Sequence, residues 1–88
     1  MKNSKLLDEN RKKINLIDIQ IVSLLDERIN LALNIGKIKQ NKNICILDMK
    51  REKEILRNLK GKSKYLSYKE IEKVYKTIFE ISKKNQLK

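Results

Sequence analysis

The sequence predicts an all-α protein of three helices, long, short and medium, that pairs with a second copy of itself. Three observations carry this. Apolar residues recur at steps of 3 and 4, the period of an amphipathic helix. The first helical stretch, Leu7 to about Gln40, contains no proline, and its only glycine, Gly36, falls near its end. That stretch is also too long for the remaining chain to cover. Its 34 residues at about 1.5 Å each span roughly 50 Å, whereas a globule of this chain length would be only about 25 Å across. A second copy packed antiparallel in a two-fold dimer is the simplest cover for its apolar stripe.

Taken in order, residues 1–5 are expected to fray, and Asp8 reads as the N-cap of the long helix. Its apolar line is Leu7, Ile14, Ile17, Ile21, Leu24, Leu31, Ile35 and Ile38, with Asp18 and Asp26 on the solvent side. The step after Leu24 lands on Arg28, a cation on the seam. A buried unpaired charge costs several kcal/mol, so such a residue is paired, neutralised or functional. Asn41–Leu47 (NKNICIL) loses the helical period and reads as a loop. Asp48 caps a short second helix, MKREKEILRNLKG, which Gly61 ends. Its line is Met49, Leu56 and Leu59, with Glu52 among them. Residues 61–67 form a second loop. Ser67 and Glu70 make a capping box that opens the third helix, whose line runs Ile71, Val74, Tyr75, Ile78, Phe79 and then into Ser82 and Gln86.

The totals exclude several classes. At 88 residues the chain, residues 1–88, is one domain. One cysteine, Cys45, allows no intrachain disulfide, and the absence of histidine leaves no Cys/His cluster for zinc. A chain this small therefore looks to oligomerisation for its stability. No apolar run is long enough to span a membrane, and the first residues lack a signal-peptide core; a cytoplasmic location with no membrane partner is expected. The net charge of +11 is spread along the whole chain. With one Phe, no Trp and no helix-turn-helix signature, it reads as a lysine-rich surface or an anionic substrate rather than nucleic acid.

Arg28, Glu52, Ser82 and Gln86 all occupy positions that packing would give to hydrocarbon. Each alone reads most simply as a snorkelling, solvated or fraying side chain. Four together on the inward faces of three helices describe a polar pocket in a bundle. Arg28 and Lys39, 11 residues apart, differ by only about 20° in direction and about 16 Å along the helix. Both can lean toward one small ligand. Arg11 lies about 25 Å before Arg28 and about 100° round, so it cannot reach that ligand from its own chain. In an antiparallel dimer it would complete the partner's site. Asp48 and Glu52 are neighbours one turn apart, with Arg51 beside them. This set holds cations, a carboxylate pair and two neutral hydrogen-bonders, but no nucleophile–base pair. It suits a small dianion carrying a hydroxyl, and chemistry done by positioning and charge stabilisation.

The order Arg11, Glu27-Arg28, Gly36-Lys37-x-Lys39, Asp48 with Arg51-Glu52, and Ser82 with Gln86 resembles the AroQ-type, all-helical chorismate mutases. The similarity covers about residues 7–87. It is concentrated in LLDERINLALNIGKIK, DMKREKEIL and ISKKNQ; the local departure is the lysine-rich, shortened loop at 61–67. The resemblance implies the [3,3] rearrangement of chorismate to prephenate with no cofactor and no metal, in an intertwined homodimer with two sites. It implies that Arg28, and Arg11 from the other subunit, bind the two carboxylates. Lys39 would contact a carboxylate and the ether oxygen, and Gln86 would donate to that oxygen. Glu52 and the Asp48 backbone would hold the ring hydroxyl, Ser82 would assist a carboxylate, and Arg51 would join the polar network around Asp48. Lys39 and Gln86 are then the catalytic pair. Since no regulatory domain accompanies the sequence, direct feedback by aromatic amino acids is not expected.

Two other readings share these features. An isochorismate-pyruvate lyase-like enzyme would use the same cationic pocket, though Asp48 with Arg51-Glu52 favours the mutase. A non-catalytic helical partner or regulatory module would need the helices but not a complete pocket.

Overall fold

The computed structural model describes residues 2–41 and 49–87, and the side chains of residues 3–39 and 49–87. Among the described residues there are three helices and no strand: α1 (Lys2–Asn41), α2 (Met49–Leu59) and α3 (Tyr68–Gln86). The expected all-α, long-short-medium order is the observed one. No helix among the described residues is long and apolar enough to cross a membrane. Cys45, Asp48 and most of the loop expected over Asn41–Leu47 lie outside the described residues.

Two compact units divide the chain, Met1–Leu31 and Ala32–Lys88. The first is helix throughout its described residues. It begins earlier than expected, at Lys2 rather than Leu7, so residues 2–5 are helical and Asp8 is not an N-cap. The segment KNSKLL contains neither proline nor glycine, and once a helix is nucleated each added residue gains a backbone bond. The side chain of Asn10 bonds back onto this turn, its amide donating to the Leu6 carbonyl at 2.8 Å. Leu7, Ile14, Ile17, Ile21 and Leu24 are all between 48% and 61% exposed, so the apolar line of this unit is half exposed. Asp18 and Asp26 are exposed as expected.

The second unit contains the last part of α1 together with α2 and α3. Its core is Leu56, Ile71 and Phe79, with Ile55, Leu59 and Tyr75 packed around it. Burying a side chain of this size contributes about 1.5–3 kcal/mol. Tyr75 and Phe79, one turn apart on α3, meet edge to face with ring centroids 5.8 Å apart, the arrangement that aromatic quadrupoles prefer. On α2 and α3, two residues placed on the inward lines do not belong there: Met49 is 70% exposed and Val74 51% exposed. Met49 is the first residue of α2, ahead of the turn that packs. Val74 lies on the flank of the line Ile71–Tyr75–Phe79. With Ile78 and Ile81 it forms a second apolar stripe on α3.

The punctuation is as read. Gly61 has φ +77°, a conformation without steric cost only for glycine. It follows the end of α2, where the Lys62 amide donates to the Leu59 carbonyl at 3.1 Å. Ser67 opens α3 with both halves of a capping box. Its hydroxyl accepts from the Glu70 amide at 3.2 Å, and the Glu70 carboxylate accepts from the Ser67 amide at 2.9 Å. That second bond, and then the Ser67 side chain, hold the Glu70 carboxyl below its ordinary pKa.

Candidate active site

The described candidate residues fall in both units. Arg11 and Arg28 belong to the first. Arg11 is exposed, and Arg28 is half-buried, as are Leu25, Ile29 and Ala32 around it on the helix. That burial marks Arg28 as the residue where the helix's apolar line turns polar.

The others lie in the second unit, where the geometry is specific. α3 delivers Ser82 and Gln86 from the same line that carries Ile71 and Phe79. Ser82 is 7% exposed, and among the described residues no buried side-chain polar atom lacks a hydrogen-bond partner. Gln86 is half-buried. Its Nε2 donates to the Ala32 carbonyl on α1 at 2.6 Å, across 54 residues of sequence. Neither residue is a frayed terminus. An amide nitrogen carries two hydrogens, and this contact uses one to fix where the other points.

The approach of Gln86 depends on Gly36. That residue is buried on α1, and a Cβ there would stand 3.3 Å from Gln86 Cγ and 3.5 Å from its Cβ. Glycine here admits a side chain rather than a bend in the backbone. Lys39 lies three residues further along α1, in its last turn, and is half-buried. Residues three apart share a helix face, so Gly36 and Lys39 lie on the side of α1 that carries Gln86.

α2 contributes Glu52, also half-buried. Its Oε2 accepts from Lys83 Nζ on α3 at 2.7 Å, with the two side chains 25% and 28% exposed. Arg51 is exposed and pairs along its own helix with Glu54 at 2.6 Å; Asp48, whose network it is expected to join, lies outside the described residues. Adjacent helical residues point about 100° apart, so Arg51 cannot share the inward direction of Glu52. A separate cleft of about 450 Å³ lies between α2 and α3, lined by Lys50, Lys53, Leu56, Arg57, Tyr68 and Glu72. It contains none of the candidate residues. Lys50, Lys53 and Arg57 lie about 100–160° round α2 from Glu52.

Sequence reasoning missed Lys83, and it read Gly36 only as part of the motif around Lys39. A signal for Lys83 was present: Phe79, Lys83 and Gln86 are spaced 4 and 3, so Lys83 lies on the buried line as much as Ser82 does. Beside Lys84 it passes for surface charge.

The second unit is all-helical, buries Ser82 and half-buries Glu52, Lys39, Lys83 and Gln86, and the comparisons place the chain in a family. Residues 10–87 match the family described as chorismate mutase type II; the chain belongs to that family. It is 36% identical over 80 residues to the bifunctional chorismate mutase/prephenate dehydratase of Buchnera aphidicola subsp. Baizongia pistaciae, a match covering 89% of this chain and 22% of that protein. The chain thus spans about a fifth of the length of that curated relative. Among solved structures, it superposes on chorismate mutase (form II) from Thermus thermophilus with TM-score 0.89 and 28% identity, covering 93% of this chain and 94% of that one. It superposes on the Helicobacter pylori chorismate mutase, solved in complex with prephenate, with TM-score 0.87 and 37% identity, covering 93% and 90%.

Proposed function

We propose that this chain is an isomerase that rearranges chorismate to prephenate, acting as a cytoplasmic homodimer in which each site takes Arg11 from the partner. The whole chain then folds as a single domain. One observation supports the reading above the others. Ser82 and Gln86 continue the buried line of α3, and Gln86 is anchored to α1 beside Gly36 in a family whose Helicobacter pylori member holds prephenate. The dehydratase half named in the bifunctional relative is no part of the proposal.

The reaction is unimolecular. The ether C–O bond breaks as a C–C bond forms within one molecule, and no proton or electron is exchanged with the protein. What a catalyst can supply is conformation and charge. Chorismate rarely adopts the compact diaxial chair in water. Clamping its carboxylates with Arg28 and the second subunit's Arg11, assisted by Ser82, selects that chair. As the ether bond breaks, negative charge grows on its oxygen, and Lys39 and Gln86 stabilise it. Removing one such donor typically costs on the order of 10²–10³ in rate. Glu52 and the backbone of Asp48 hold the ring hydroxyl, and Arg51 adds positive charge at the start of α2. No cofactor or metal enters.

Exposed apolar surface supports the dimer. Leu7, Ile14, Ile17, Ile21 and Leu24 stay half exposed along the first unit, and Val74 and Ile81 do so on α3. Contiguous apolar surface of this kind marks an association face. The net charge of +11 favours encounter with a dianion.

The test is turnover. Purified protein is mixed with chorismate, its loss is followed by absorbance, and the product is identified by NMR. Prephenate supports the proposal. Pyruvate with an aromatic acid released from isochorismate, supplied in a parallel assay, would assign the chain to isochorismate-pyruvate lyase-like chemistry, and no consumption of either substrate would make it a non-catalytic helical module.

A further inference from the structure

We propose that Lys83 is a positioning residue for Glu52, fixing its carboxylate as the acceptor of the substrate's ring hydroxyl; this rests on the chorismate reading above. The geometry is particular. Lys83 Nζ reaches from α3 to α2 and meets Glu52 Oε2 at 2.7 Å. The pair is only 25–28% exposed, whereas Arg51 and Glu54 are 56% and 50% exposed. A half-buried pair is less screened by water and salt than an exposed one. Glu54 keeps Arg51 occupied along α2, on another side of that helix from Glu52.

The substrate makes this pairing matter. Glu52 is the one anion among the described site residues, and chorismate brings two more negative charges. A carboxylate left without a cation there would repel the ligand. Lys83 offsets the charge through Oε2, which directs Oε1 to the ring hydroxyl. It also ties α2 to the stretch of α3 that carries Ser82 and Gln86, so three successive polar functions come from one turn and a half. Ser82 and Gln86 face the substrate; Lys83 acts through Glu52.

The experiment is a double-mutant cycle in the full chain, read in steady-state kinetics with chorismate. Lys83→Met is expected to raise KM about tenfold with kcat within about threefold, the pattern of lost uniform binding. Lys83→Arg keeps the cation and should return KM to within about twofold of wild type. In a Glu52→Gln background, Lys83→Met should change KM by less than about twofold, because a neutral amide needs no ion partner. Lys83→Gln serves if the methionine variant does not fold, with circular dichroism as the check. An equal rise in KM in the Glu52→Gln background would overturn the inference by showing that Lys83 touches substrate itself. Unchanged KM with a lowered Tm would overturn it by showing a merely structural tie. Absence of turnover by the wild-type chain would instead refute the reading beneath it.

Discussion

Gly36→Ala separates the stability of the fold from the placement of Gln86. Gly36 lies inside α1, where alanine is favoured over glycine by about 1 kcal/mol. By helix propensity alone the change should stabilise. The added Cβ, however, would stand 3.3 Å from Gln86 Cγ, inside the roughly 3.5–4.0 Å of relaxed carbon contacts. The glutamine is a flexible side chain and retreats by a few tenths of an ångström. Its 2.6 Å bond to the Ala32 carbonyl is then stretched or lost, and the amide moves with it. A misplacement of about 1 Å can cost 10² in rate, so a shift of this smaller size should lower kcat about 3- to 10-fold. Urea unfolding followed by circular dichroism and chorismate turnover by the same preparation are the assays. Expected are equal or raised stability and a reduced kcat with KM little changed. A variant with wild-type kcat would refute the reasoning, since the position of Gln86 would not matter; so would a variant that loses helix content.

Lys39→Ala should lower kcat by at least about 10²–10³ with the far-ultraviolet circular dichroism spectrum unchanged. Because Gln86 is an amide and donates without being protonated, kcat should vary little between pH 5 and 8; a collapse above pH 6, measured under saturating chorismate, would contradict the assignment. Ser67→Ala removes the cap of α3 and should cost about 1 kcal/mol in urea unfolding. The Glu70 pKa is lowered in the folded chain by the Ser67 amide. Its contribution is therefore present above the unfolded value of about 4.3 and is lost as pH falls through the lower folded value. Glu70→Gln should flatten this acid limb of the stability curve, measured by unfolding between pH 2 and 6.

Much of this fold was legible because local chemistry decides it. Ser67-x-x-Glu70 specifies its own geometry, and Gly61 sits where only a positive φ continues the chain. The lines through Leu56, Ile71 and Phe79 follow from helical period alone. What was misread depended on things that period cannot report. The start of α1 slipped from Lys2 to Leu7 because Asp8 resembles a cap, although nothing in KNSKLL stops the helix. Met49 and Val74 fit the spacing but fall outside the packed turn or on its flank. In the site, Ser82 and Gln86 were visible as polar residues on an apolar line. The Glu52–Lys83 bond and the closeness of Gly36 to Gln86 join distant parts of the chain, and no pattern within one helix encodes them. Arg51 neighbours Glu52 in sequence, and helical geometry turns it toward Glu54.

The claim that two chains share each site is tested most directly by mixing two inactive variants. Arg11→Ala and Lys39→Ala subunits are unfolded together, refolded in equal amounts and assayed with chorismate, with exchange verified by mass-tagged subunits. Random pairing makes half of the dimers mixed, and each mixed dimer holds one intact site of two. The account predicts recovery of about a quarter of wild-type activity. Verified mixed dimers with no more turnover than either parent would contradict it.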